Sequence, residues 1–113
     1  MSKVTVILGP PASGKSREIE KVINDRPAMH VGSMSSFGLK NDPFYISKLL
    51  IKAATIGKLV LVIDEVGEEL RNILLVLVIT GFPVDVILAT NAFKAEDVSS
   101  FIPYITLIDL WKK

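Results

Sequence analysis

The chain has 113 residues, half of them hydrophobic, with a net charge of +1, one histidine and no cysteine. That size suits a single domain spanning 1–113. It excludes disulfides, thiolate chemistry and Cys- or His-rich metal clusters, and the balanced charge lacks the strong basic footprint of a dedicated nucleic-acid binder. Its longest wholly apolar run, Ile73 to Ile79, is too short to cross a bilayer, and no charged-then-apolar leader pattern opens the chain. A cytoplasmic location is expected.

Lys3 to Leu8 reads as a first strand, its near-continuous apolar run suiting a strand covered on both faces. Gly9-Pro10-Pro11-Ala12-Ser13-Gly14-Lys15-Ser16 follows and fits the phosphate-loop pattern G-x-x-x-x-G-K-[ST]. Ser16 to Asn24 is expected to be helical, with Ile19, Val22 and Ile23 on one stripe. Strand, loop and helix together are the context that gives this pattern meaning. The two glycines free the backbone so that amides converge on phosphate oxygens, aided by the positive end of the helix. Lys15 would reach the terminal phosphates, and the Ser16 hydroxyl would hold a magnesium ion. The expected nucleotide-binding set is Gly9, Pro10, Pro11, Ala12, Ser13, Gly14, Lys15, Ser16 and Arg17.

Arg26-Pro27 ends the first helix, because the residue before a proline avoids helical geometry. Ala28 to Val31 is a short strand carrying His30, read as a packed or edge residue rather than a catalytic one. Gly32 to Asn41 is a Gly- and Ser-rich loop that either touches a substrate or neighbouring subunit or merely connects. Asp42-Pro43 looks like a helix start, with Ile46, Leu49, Leu50 and Ala53 as the apolar stripe and Gly57 as the stop. Lys48, Lys52 and Lys58 give a mild basic face, read as solvated.

Leu59 to Ile63 is a buried strand with Asp64 and Glu65 at its tip. Ligands of open α/β sheets bind at the carboxyl ends of strands, so Asp64 is expected in the magnesium shell opposite Ser16. Glu65 would orient or deprotonate an attacking water. Two acids ending a strand can simply cap the next helix; about fifty residues beyond a phosphate loop they point to hydrolysis. Glu68 to Thr80 is expected to be helical because parallel strands need a crossover, although Ile73 to Ile79 is apolar on every side. Arg71 either pairs with Glu68 or reaches a neighbouring subunit's nucleotide. Val84 to Ala89 is the fourth strand, with Thr90-Asn91 at its tip; Asn91 is either a turn former or a group beside the terminal phosphate. Lys94 to Phe101 reads as a short helix and Tyr104 to Ile108 as the last strand, opened by Pro103; Leu110 and Trp111 should pack back.

The loop Gly9 to Ser16, the Asp64-Glu65 pair and Thr90-Asn91 resemble the P-loop NTPases, with Walker A and Walker B elements in the usual places. More narrowly, they resemble the division with a glutamate beside the acidic strand end, which includes RecA-like and AAA-type ATPases. The resemblance covers Lys3 to Asp109. It implies a three-layer αβα sandwich around a five-stranded parallel sheet of order 5-1-4-3-2, with ATP and Mg2+ as cofactors and Lys15, Glu65 and Asn91 in catalytic roles. The middle glycine usual in such a loop is Ala12, and neither the helical lid of AAA proteins nor the arginine-bearing lid of small-molecule kinases is evident. The pattern is that of a bare ATPase core like those of phages, viruses and plasmids. DNA or RNA handling and a homo-oligomer are implied by analogy of fold. Two rivals are a nucleoside or small-molecule kinase, with Glu65 activating an acceptor hydroxyl, and a non-catalytic nucleotide-regulated interaction module.

Overall fold

The computed structural model describes residues 3–31, 45–67 and 69–111. The Gly32–Asn41 loop, the Asp42-Pro43 helix start and Glu68 lie outside the described residues. Among the described residues nine elements follow in order: β1 (Val4–Leu8), α1 (Lys15–Ile23), β2 (Ala28–Val31), α2 (Tyr45–Thr55), β3 (Val60–Ile63), α3 (Leu70–Thr80), β4 (Asp85–Thr90), a 3-10 segment (Ala95–Tyr104) and β5 (Thr106–Asp109).

The strands form one fully parallel sheet of order β2-β3-β4-β1-β5, which from its opposite edge reads 5-1-4-3-2. Side-chain alternation splits each central strand between two cores. Val4, Val6 and Leu8 of β1, with Leu61, Ile63, Val86 and Leu88, pack against α2, α3 and the 3-10 segment. Ile7, Val60, Val62, Ile87 and Ala89 face Ile19 and Ile23 of α1 and Leu110. Helical layers therefore cover both faces of the sheet. This explains why the strands read as continuous apolar runs.

Two expectations are corrected, and the sides of one apolar run are told apart. The last helical stretch is a 3-10 segment that runs through Pro103 to Tyr104, so β5 starts only at Thr106. Its buried residues, Val98 and Phe101, are three apart, a spacing that three residues per turn places on one side. The apolar run in α3 is not buried all round: Leu77 is 1% exposed, whereas Ile79 is 77% exposed and Leu75 and Val78 also face outward. Thr90 is the final residue of β4 rather than part of the turn after it.

Where α1 ends, Asn24 and Asp25 both adopt left-handed φ angles (51° and 62°). Arg26 then folds back, donating from Nε to the Ile23 carbonyl (2.9 Å) and from a guanidinium nitrogen to the Val22 carbonyl (2.8 Å). Its other terminal nitrogen pairs with Asp85 at the start of β4 (2.6 Å). A cation at the helix C-terminus complements the helix dipole and satisfies orphan carbonyls. The same side chain joins the α1 layer to the sheet.

Candidate functional site

The loop leaves β1 beneath a ceiling set by the last part of the chain. The Leu110 amide donates to the Leu8 carbonyl (2.7 Å), and the Gly9 amide donates to the Thr90 carbonyl (3.3 Å). A Cβ on Gly9 would lie 2.5 Å from Ser13 Oγ and 2.8 Å from Leu110 Cβ. Close approach therefore demands glycine here, whereas Gly14 is required by its φ of 95°. Ala12 has a left-handed φ of 60°, a conformation that a glycine would adopt without strain. Ser13 Oγ is buried without a hydrogen-bond partner among the described residues. The Lys15 ammonium lies along the loop, donating to the carbonyls of Gly9 (3.1 Å) and Pro10 (2.8 Å).

The acidic tip is held by a bond at nearly every backbone group. The Asp64 amide donates to Val31 (3.0 Å), and the Asp64 carboxylate accepts from the Glu65 amide (2.8 Å). The Val66 amide then crosses to the Ala89 carbonyl (2.9 Å). Glu65, between these two anchors, takes a left-handed φ of 55° and is exposed. A non-glycine residue held there stores strain, which concentrates at functional positions. The Gly67 amide donates to the carboxylate of Glu69 (3.3 Å), itself only 7% exposed at the head of α3. Sequence reasoning missed Glu69, because nothing in its spacing distinguishes it from a solvated helix-start acid.

At the tip of β4, Thr90 is fully buried. Its hydroxyl donates to the Val66 carbonyl and accepts from the Ala92 amide (3.1 Å). Asn91 is exposed between them.

These three segments meet around a cavity of about 290 Å3 lined by Pro11, Ala12, Ser13, Gly14, Lys15, Ser16, Asp64, Glu65 and Asn91. Of the expected set, Gly9 is buried at the root of the loop and Pro10 contributes a carbonyl to Lys15 rather than a wall. Arg17 is exposed on the first turn of α1, outside the lining. His30 is exposed on the edge strand β2, and Arg71 is exposed at the start of α3; neither lines the cavity.

The lining suits a phosphate chain with a divalent cation. One lysine and the amino end of α1 supply positive potential, and the unpartnered Ser13 hydroxyl adds a polar group at the loop. Ser16 and Asp64 offer two hard oxygen donors. Among the described residues no group of three or more carboxylates or imidazoles forms a metal cage. A Mg2+ ion here would take its remaining ligands from phosphate oxygens and water, as that ion commonly does. A larger cavity of about 580 Å3 lies at the amino ends of the strands, but its lining (Val4, Leu77, Val78, Gly81, Phe82, Pro103 and Tyr104) carries no charged group. Among the described residues no helix is long and apolar enough to cross a membrane. Comparison with known protein families finds no matching family model, and comparison with curated proteins finds no match.

Proposed function

We propose that this chain is a magnesium-dependent ATPase with a compact P-loop core. The observation that carries the reading is convergence. A glycine-bounded loop and a lysine meet two carboxylates from about fifty residues downstream and an asparagine from the turn after a third strand, all on one cavity. In this reading the loop amides and Lys15 bind the phosphates, with Lys15 exchanging its carbonyl partners for phosphate oxygens. Ser16 Oγ and the Asp64 carboxylate hold the cation. When bound, Mg2+ neutralises charge on the phosphates. Glu65 orients a water and takes its proton as the oxygen attacks the terminal phosphorus; the bond to the bridging oxygen breaks and ADP departs. Asn91 positions the terminal phosphate or the water.

Among the described residues no arginine lines the cavity. The charge-stabilising arginine therefore comes from a second copy or from a partner, and turnover by an isolated copy is slow. Nucleic-acid handling in the cytoplasm is the setting in which such a bare core would be used. The test is ATP hydrolysis measured across protein concentration, with and without single-stranded and duplex nucleic acid and without any small-molecule acceptor. Turnover that rises with concentration or polynucleotide, and that Glu65→Gln lowers by about 100-fold or more while ATP still binds, supports the reading. Tight binding without turnover under every condition replaces it with a regulatory module. Turnover that needs an acceptor hydroxyl replaces it with a kinase.

A further inference from the structure

We infer that Thr90 is a positioning residue that locks the phosphate loop, the acidic tip and the asparagine turn into one rigid unit. Its backbone carbonyl holds the Gly9 amide, its hydroxyl holds the Val66 carbonyl, and the same hydroxyl holds the Ala92 amide. Each bond goes to a different one of the three segments that line the cavity.

The assignment follows from the strand itself. Thr90 shares its side of β4 with Val86 and Leu88, the side packed against α3, and the Val66 turn leads into that helix. A hydroxyl has one proton to donate, and here it goes to Val66; its lone pairs take the Ala92 amide. With full burial, no part of this side chain is left to touch a nucleotide, so Thr90 acts through its neighbours. A β-branched side chain in a strand is restricted to few rotamers, which fixes the hydroxyl between its two partners. The residues on either side of the links are those assigned to chemistry: Glu65 precedes Val66, and Asn91 separates Thr90 from Ala92. Serine would keep the hydroxyl with less rotational restraint. Valine would keep the shape and leave the Val66 carbonyl and the Ala92 amide without partners.

The turnover part of the test rests on the ATPase reading; the exchange part rests on geometry alone. Amide hydrogen exchange is measured on wild type, Thr90→Val and Thr90→Ser, with steady-state kinetics using Mg-ATP alongside. The inference expects the Gly9, Val66 and Ala92 amides of wild type to show a common protection factor, each rate being scaled by that amide's intrinsic rate; the Val66 amide, which donates to the Ala89 carbonyl, reports the acidic tip. In Thr90→Val the Ala92 amide should exchange at least about tenfold faster. It expects Thr90→Val to lower kcat by about 10- to 100-fold with KM changed by less than about threefold, and Thr90→Ser to recover most of that loss. An Ala92 amide unaffected by Thr90→Val, or a Thr90→Ser variant as impaired as Thr90→Val, overturns it. Should Thr90→Val not fold, the wild-type protection factors decide: a spread beyond about tenfold among the three amides overturns the rigid unit. Should wild type neither bind nor turn over ATP, the ATPase reading falls, and the exchange results still decide the role of Thr90.

Discussion

Ala12 and Gly9 occupy neighbouring turns of one loop yet obey opposite constraints. Ala12 sits at a φ of 60°, where an L side chain crowds the following carbonyl at a cost of about 1–2 kcal/mol. Glycine removes that crowding but loses about 0.5–1 kcal/mol more backbone entropy on folding. The difference favours Ala12→Gly by about 0.5–1 kcal/mol, read as a higher urea midpoint with an unchanged m-value. Gly9→Ala tests the other constraint in the same assay. Its methyl would meet Leu110 Cβ at 2.8 Å, and packed atoms of this kind yield only with a shift of the backbone. A loss of about 1–3 kcal/mol is expected, and an equal or higher midpoint would remove the close-approach argument.

Elements are joined by contacts that cross long stretches of chain, and the Arg26–Asp85 pair is the clearest of them. Burial raises the Asp85 carboxyl, but the Arg26 hydrogen bond, the Lys3 amide and the two positive charges outweigh it and hold the carboxyl below its usual value of 3.8. A carboxyl lowered in the folded state contributes stability above its unfolded value, and that contribution is lost as pH falls through the folded one. The pair thus stabilises at neutral pH and fades below about pH 4. Asp85→Asn should lower the urea midpoint at pH 7 and converge with wild type once the pH has fallen through the folded-state value. Parallel curves at both ends of that range would assign the effect to packing instead. In α3, Leu77 and Ile79 make a second contrast. Leu77→Ala empties a fully buried site and should cost about 2–5 kcal/mol. Ile79→Lys, on the outer face, should change stability by less than about 0.5 kcal/mol in the same measurement.

At the scale of the whole molecule, the parallel sheet was legible because its central strands are apolar throughout and their connections are helical in length. The cavity was legible for a related reason. A glycine-bounded loop after a strand and two acids ending another must share one end of a sheet if all strands run the same way. What was hidden depends on contacts far apart in sequence. An all-apolar run such as Ile73 to Ile79 has no polar face to betray which side is outward, so its exposed stripe emerged only with the packing. The burial of Glu69, the three bonds of Thr90 and the bridge from Arg26 to Asp85 leave no local periodicity either. Pro103 looked like a strand opener because its missing N–H marks a break, yet a 3-10 turn accommodates it.

The pairing of Leu8 with Leu110, and of β1 with β4 and β5 on its two sides, has a consequence for biosynthesis. A ribosome makes the glycine loop about eighty to one hundred residues before the neighbours that brace it. The nascent polypeptide must hold its first strand unpaired on one edge until β4 has been made and on the other until β5 has been made. Chaperones that shield exposed strand edges would therefore find their substrate during synthesis, well before the cavity beside the glycine loop is complete.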